Sequence, residues 1–390
     1  MSPLAHALLS GSRMQKLRAT RIAGLALLVL SLAGAAQAGS ITLAWNANTD
    51  GSTTGYRIFW GHQSGVYGGN VDVGNQTTYQ LNGLADGVPY YFVVRAYNAA
   101  GVLSGPSIEV SKRIGVPSSV AGDFSGDFLS EMTVFRPTTG AWYMRGLSSV
   151  YTWGGGGDIP STGDYDGDGK TDIAVFRPTT GGWYILRSST FTGLSYTWGG
   201  GGDIPVPQDY DGDGKTDVAT FRRSTGAWWI IQSSTQTGLA YAFGGGLDVP
   251  VPGDYDGDGK ADIAVFRPST GLWYISRSNT ATGYAYTFGG GGDIPVPADY
   301  DGDGKTDVAV FRPGTGTWYI VHSSTQAGVT RVWGINGDTP VPGDYDGDGR
   351  IDLAVFRPLT GQWWIIRSST NTSAMYTWGG AGDIPIPKRP

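Results

Sequence analysis

From Ile41 onward the chain alternates apolar and polar residues in short runs broken by turn clusters. Ile41–Trp45, Tyr56–Trp60, Thr78–Leu81 and Tyr90–Tyr97 come first, with turns such as 48–51 between them. Alternation at this spacing reads as the strands of a β-sandwich. A repeat then takes over. The string 163–207 (GDYDGDGKTDIAVFRPTTGGWYILRSSTFTGLSYTWGGGGDIPVP) recurs from Gln208, Gly253, Ala298 and Gly343 at a period of 45 residues. A decayed sixth copy starts at Gly122 and is four residues shorter. Each unit offers four short apolar segments, DIAVFR, WYILRS, LSYTW and DIPVPQDY, with no helical periodicity. Four strands in a unit of this length predict one blade of a β-propeller. Six units predict six blades, with seven as the alternative. The tail 382–387 (GDIPIP) repeats the lead-in segment and would complete the ring on the first blade. Proline in that segment suits only a short strand.

The fold class is thus all-β: a sandwich over 39–114 and a propeller over 116–390. Residues 1–38 read differently. Arg13, Lys16, Arg18 and Arg21 precede an eleven-residue apolar run, Ile22–Leu32, and Ala36-Gln37-Ala38 follows. That order is an export signal cleaved after Ala38. The run is too short for a membrane span, which takes about 20 apolar residues. The mature chain is therefore expected to be secreted, without a membrane span, and such a signal fits a bacterial source.

Every repeat opens with D-x-D-G-D-G-x-x-D. The acids are Asp164, Asp166, Asp168 and Asp172; Asp209, Asp211, Asp213 and Asp217; Asp254, Asp256, Asp258 and Asp262; Asp299, Asp301, Asp303 and Asp307; and Asp344, Asp346, Asp348 and Asp352. Calcium takes six to eight hard oxygens from a flexible loop. Carboxylates at positions 1, 3, 5 and 9 converge if glycine at position 6 permits a sharp turn. The backbone carbonyls of Lys170, Lys215, Lys260, Lys305 and Arg350, at position 7, would add a ligand. Four carboxylates within nine residues repel one another unless a cation sits among them. About five Ca2+ sites follow, structural in role. The first loop departs, with Asp123, Asp127 and Glu131 but Ser125 and Phe128 at positions 3 and 6.

These loops, with the Ala174-Val175-Phe176 run downstream, resemble the FG-GAP/VCBS calcium repeats of integrin-like propellers. Trp45, the 84–90 corner with Tyr90, and 94–98 resemble strands B, E–F and F of a fibronectin type III domain, whose first strand is missing here. The resemblance implies extracellular binding or adhesion.

Composition narrows the function. The chain has no Cys, so disulfides and thiolate chemistry are excluded. The net charge of −6 becomes −10 without the four basic residues of the signal, which disfavours nucleic acid as a partner. In the mature chain only His62 and His322 occur, neither in a catalytic motif. The expected function is a non-enzymatic, calcium-binding module for extracellular glycan or protein ligands, acting as a monomer. A lyase-like polysaccharide-active enzyme and a ligand-free scaffold are the alternatives. Trp142, Trp183, Trp228, Trp273, Trp318 and Trp363, and the second set Trp153, Trp198, Phe243, Phe288, Trp333 and Trp378, read either as packing or as sugar platforms. Arg136, Arg177, Arg222, Arg267, Arg312 and Arg357 would brace neighbouring blades through an acid such as the repeated Asp158, Asp203, Asp248, Asp293, Asp338 and Asp383.

Overall fold

The computed structural model describes residues 14–15, 28–31, 40–48, 52–63, 65–84, 89–113 and 121–386. The chain divides into two compact units, Met1–Ser118 and Ser119–Pro390. Every regular element among the described residues is a strand.

In the first unit two sheets enclose one core. Ile41–Trp45 pairs with Thr78–Leu81, and Thr53–Gly61 lies between Gly69–Gly74 and Pro89–Asn98, with Val110–Arg113 at the edge. Ile41, Leu43 and Trp45 alternate inward from one sheet to meet Tyr56, Ile58, Phe92 and Val94 of the other. Trp45 stacks edge-on against Tyr56 at 5.6 Å between ring centroids. The missing first strand is a point of difference. Leu28–Ser31 pairs antiparallel with Ile41–Trp45 and takes that edge, so a segment read as the apolar part of an export signal occupies the place. An apolar extended segment beside an open sheet edge can satisfy both its own backbone and the edge. The cleavage point after Ala38 lies outside the described residues.

The second unit contains six four-stranded antiparallel sheets. In the second sheet Ile159–Pro160, Ile173–Arg177, Gly182–Leu186 and Gly193–Thr197 pair in chain order. The lead-in strands that carry proline have only two or three residues, which is how the sheet tolerates the lost N–H groups. The first sheet has no lead-in strand of its own. Ile384–Ile386, from the C-terminal end, pairs with Thr133–Arg136 and supplies it.

Alternation on the inner strands covers both faces of each sheet. Ala174, Phe176, Trp183 and Ile185 pack with Val218 of the third sheet, whereas Ile173 and Val175 pack with Phe135 and Trp142 of the first. The same relay runs through Val265, Val310 and Val355. It closes with Val134 of the first sheet against Phe356 and Trp363 of the sixth. Contacts therefore run in a circle of six, the order that a six-bladed reading requires.

The repeated tryptophans belong to this packing. Trp142, Trp183, Trp228, Trp273, Trp318 and Trp363 are all 0% exposed, so they cannot serve as sugar platforms. Each donates its indole N–H to a carbonyl at the end of the outer strand, as Trp183 does to Trp198 at 3.0 Å. In the second set, Trp153, Trp333 and Trp378 donate to carbonyls of the next sheet, the last to Tyr143 across the closure.

The repeated arginines and aspartates pair in all six copies, each arginine with the aspartate that leads into its own sheet rather than as a brace between neighbouring sheets. Arg267 Nε and Nη2 donate to Asp248 Oδ1 and Oδ2 at 2.7 and 2.9 Å, and the guanidinium lies 4.8 Å from the Tyr274 ring centroid. Asp248 also accepts from the Gly245 N–H, so the pair ties the glycine-rich connection to the sheet it enters. Arg136 makes the same pair with Asp383 of the C-terminal strand. The Asp248 side chain is only 2% exposed. Arg267→Ala therefore leaves a buried carboxylate unpaired, and we expect a loss of about 1–3 kcal/mol after allowing for the exposed guanidinium. Removing residues 382–390 opens the first sheet and breaks the closing pair. We expect a broader thermal transition at lower temperature, read by calorimetry.

Candidate metal centres

Each acidic loop spans the first and second strands of its sheet, and its ends are bridged: Asp172 N–H donates to Gly163 O at 2.7 Å. Within 164–172 the backbone wraps the first carboxylate. Asp164 Oδ1 accepts from Gly167 N–H at 2.6 Å, and Oδ2 accepts from Gly169 N–H at 2.9 Å. This wrapping needs glycine at positions 4 and 6, where φ is +78° and +89°. In the first loop Phe128 holds that second position at φ +68°, a conformation unfavourable for an aromatic side chain.

The loops bring acids together much as their spacing suggests. Carboxylate oxygens of Asp164, Asp166 and Asp172 lie within 4.8 Å of one another, as do those of Asp209, Asp211 and Asp217 and of Asp254, Asp256 and Asp262. In the loop from Asp299 the converging set is Asp299, Asp301 and Asp303. Position 5 is turned aside in the second loop. Asp168 Oδ1 accepts from Lys170 N–H and Oδ2 from Ser188 Oγ, each at 2.9 Å. The position-7 residues show a role besides the carbonyl expected of them. The Lys170, Lys215, Lys305 and Arg350 side chains lie along the position-4 glycines of the preceding loops, so closely that a Cβ there would crowd all four and meet Lys170 and Lys305 at less than 3.0 Å.

Two groups of contacts escaped the sequence reading. The first is a serine clamp from the turn between the third and fourth strands. Ser188 N–H donates to Asp172 Oδ1 at 2.6 Å and Ser189 Oγ to Asp166. Ser-Ser-Thr recurs in four units, but by itself it reads as a turn. The second is a ring of backbone bonds between loops. The position-8 N–H of each loop donates to the position-1 carbonyl of the loop before it: Thr171 to Asp123, Thr216 to Asp164, Ala261 to Asp209, Thr306 to Asp254 and Ile351 to Asp299. Ser130 N–H to Asp344 O, at 2.7 Å, closes the circle.

The donor set fits a hard divalent cation. All side-chain ligands are carboxylates. Two of their buried oxygens, Asp256 Oδ2 and Asp346 Oδ1, have no hydrogen-bond partner although both stand at position 3 of their loops. Burial, followed by the neighbouring Asp172 charge, pushes Asp164 up to about 8. Asp172, Asp209 and Asp352 are pushed up to about 7, again chiefly by burial. A cation among them reverses both causes. In the first loop Asp123, Asp127 and Glu131 also converge, with burial pushing Glu131 up to about 7.

These repeats have a family. Residues 30–113 match the fibronectin type III domain, and residues 164–220, 209–265, 254–310 and 299–355 match the FG-GAP-like repeat. The chain therefore carries a fibronectin type III domain followed by tandem FG-GAP-like repeats. It is 40% identical over 79 residues to a Kelch domain-containing protein of Saccharolobus solfataricus, 20% of this chain and 10% of that protein. It is 32% identical over 106 residues to an alpha-amylase of Niallia circulans, 27% of this chain and 8% of that protein. The chain thus spans about a tenth or less of the length of these curated relatives. Among solved structures, an Agrocybe aegerita lectin that recognises non-reducing terminal N-acetylglucosamine aligns at TM-score 0.44 and 15% identity, covering 87% of this chain and 94% of that one. An auxiliary nutrient binding protein from Bacteroides ovatus aligns at TM-score 0.40 and 9% identity, covering 88% and 85%.

The ring of loop-to-loop bonds is open to test. Thr306→Pro removes one N–H from the circle, and we expect a loss of more than about 1 kcal/mol in thermal stability. Thr306→Ala keeps that N–H and should cost less.

Proposed function

We propose that this protein is an exported, calcium-stabilised binding module. Its second unit acts as a six-bladed propeller that presents a face to extracellular glycans or proteins. The observation that carries this reading is the repeated convergence of buried carboxylates, with partnerless oxygens on Asp256 and Asp346, at the same place in successive sheets. The residues that would hold calcium are the acids at positions 1, 3, 5 and 9 of the five intact loops, with the carbonyl at position 7. Bound calcium would neutralise each cluster and lock the loop. Because each loop is bonded to the next, locking one also steadies its neighbours. The metal is then a fastener, in a chain without cysteine to staple it.

Binding is favoured over catalysis because the carboxylates are already engaged by their own loops. His322 lies beside Asp301 at 3.9 Å, and His62 packs on Tyr90 in the other unit. The fibronectin type III and FG-GAP-like repeats, both typical of extracellular proteins, support export and binding. No helix among the described residues is long and apolar enough to cross a membrane.

Calcium titration followed by thermal melts tests the metal. A site filled to a hundred times its Kd adds about 2.7 kcal/mol, and a chelator should remove the whole gain. An unchanged melt overturns the calcium reading. The pH sign is also fixed. Carboxyls raised to between about 6 and 8 cost the metal-free fold stability as pH climbs from the ordinary carboxylate range through those values. Calcium should therefore stabilise strongly at pH 8 and weakly at pH 5, where protons compete for the same oxygens. Glycan and protein arrays probed with and without chelator test the binding role.

A further inference from the structure

The circle of sheets departs furthest from the repeat at one seam, where the sixth sheet meets the decayed and shortened first. At four of the other five seams one or both of two devices fill the space beside the outer strand; at the seam of the third and fourth sheets the corresponding residues are Ser276 and Ala281. An aliphatic residue packs there, as Leu186 does beside Tyr151 and Ile231 beside Tyr196. A residue from the turn between the third and fourth strands then covers it. Phe191 stacks on Tyr151 at 6.0 Å, Tyr196 bonds Gln236 at 3.2 Å, and Arg331 bonds Asn371. The first sheet has lost both. Its turn is four residues shorter, so no counterpart of Phe191 exists. Arg145 stands where the other sheets have Leu186, Ile231, Ser276, Val321 and Ile366.

The result is a cavity of about 220 Å3 between the two sheets. Its wall carries both signs. Arg145 lies 4.3 Å over the Tyr376 ring, and Arg367 Nη2 donates to the Tyr376 hydroxyl at 3.2 Å. Among the described residues neither guanidinium is within ion-pair distance of a carboxylate, whereas the six repeated arginines all are. Asp127 and Glu131 of the first loop also line the cavity, and Leu147 adds an apolar patch.

We propose that this seam is a binding site for one neutral sugar unit. An anion would meet the two carboxylates, and a cation the two guanidiniums. A pyranose avoids both conflicts, because each hydroxyl donates and accepts, and its ring carries apolar C–H faces for the Leu147 side. The volume suits a single ring. The proposal rests on the binding role given above and assigns it one place, at the break in the repeat. The altered first acidic loop and the shortened turn beside the cavity belong to the same unit.

The test uses the secreted chain in calcium buffer. Neutral monosaccharides (glucose, galactose, mannose, rhamnose and N-acetylglucosamine) are titrated by calorimetry and saturation-transfer NMR, with glucuronate and glucosamine as charged arms. The expected result is one site for a neutral sugar. Arg145→Leu, which restores the residue of the second sheet, should weaken binding about tenfold or more while leaving the thermal melt unchanged. Arg367→Ala should weaken it too, and Arg187→Ala, at the same repeat position in the second sheet, should not. Binding of only the charged arms, or of none, overturns the proposal, as does affinity indifferent to Arg145→Leu. If the Arg145→Leu chain still binds glycan arrays at full strength, the binding role stands and the seam site falls. If the unaltered chain binds no glycan array, the glycan form of that role falls as well.

Discussion

A four-stranded sheet that is apolar on both faces must find cover on both, and this requirement organises the second unit. Val175 looks back to the first sheet while Phe176 and Trp183 look forward to the third. A linear stack would leave two end sheets with one bare face. The circle leaves none, because Val134 lies against Phe356 and Trp363. The last strand, Ile384–Ile386, then enters the first sheet and joins the end of the chain to the start of the circle. The arginine pairs depend on the same closure, since Arg136 finds its aspartate only in that last strand.

The acidic loops sit on this frame and strain it. Each gathers carboxylates in a buried place, and burial, followed by the neighbouring charge, holds Asp164 and Asp172 well above the usual carboxylate range. The frame offers partial relief through backbone N–H groups and the serine clamp. Full relief needs positive charge. The loops are also joined to one another, through position-8 N–H groups and position-7 side chains.

Regularity and its failure divide the roles within the ring. Five units repeat the acidic loop and the packing of the inner strands. The first unit, shortened and altered, makes one seam unlike the rest. Phe128 in a glycine conformation, Glu131 at the end of the loop and Arg145 in an aliphatic place all belong to that unit. A ring of identical seams offers a ligand no preferred place, and a single altered seam does.

Much of this was legible in the chain itself, because the features involved are local. The 45-residue period, four strands per unit and the acid-glycine loop depend on residues close in sequence, so pattern and turn chemistry reveal them. That the repeated arginines meet the repeated aspartates was legible as well, since both recur in step, but which aspartate each one meets was decided by the sheet pairing. The packing role of the six repeated tryptophans was legible too, although only the neighbouring sheet decides that each aromatic face is wholly covered. The serine clamp reaches across 16 to 23 residues, the loop-to-loop ring across a whole unit, and the closing contacts across nearly the full second unit. The seam cavity exists only because two units far apart in the chain meet there. Local spacing fixes which groups a strand or loop presents; only closure of the ring decides which groups face one another, and therefore where space and unpaired charge remain.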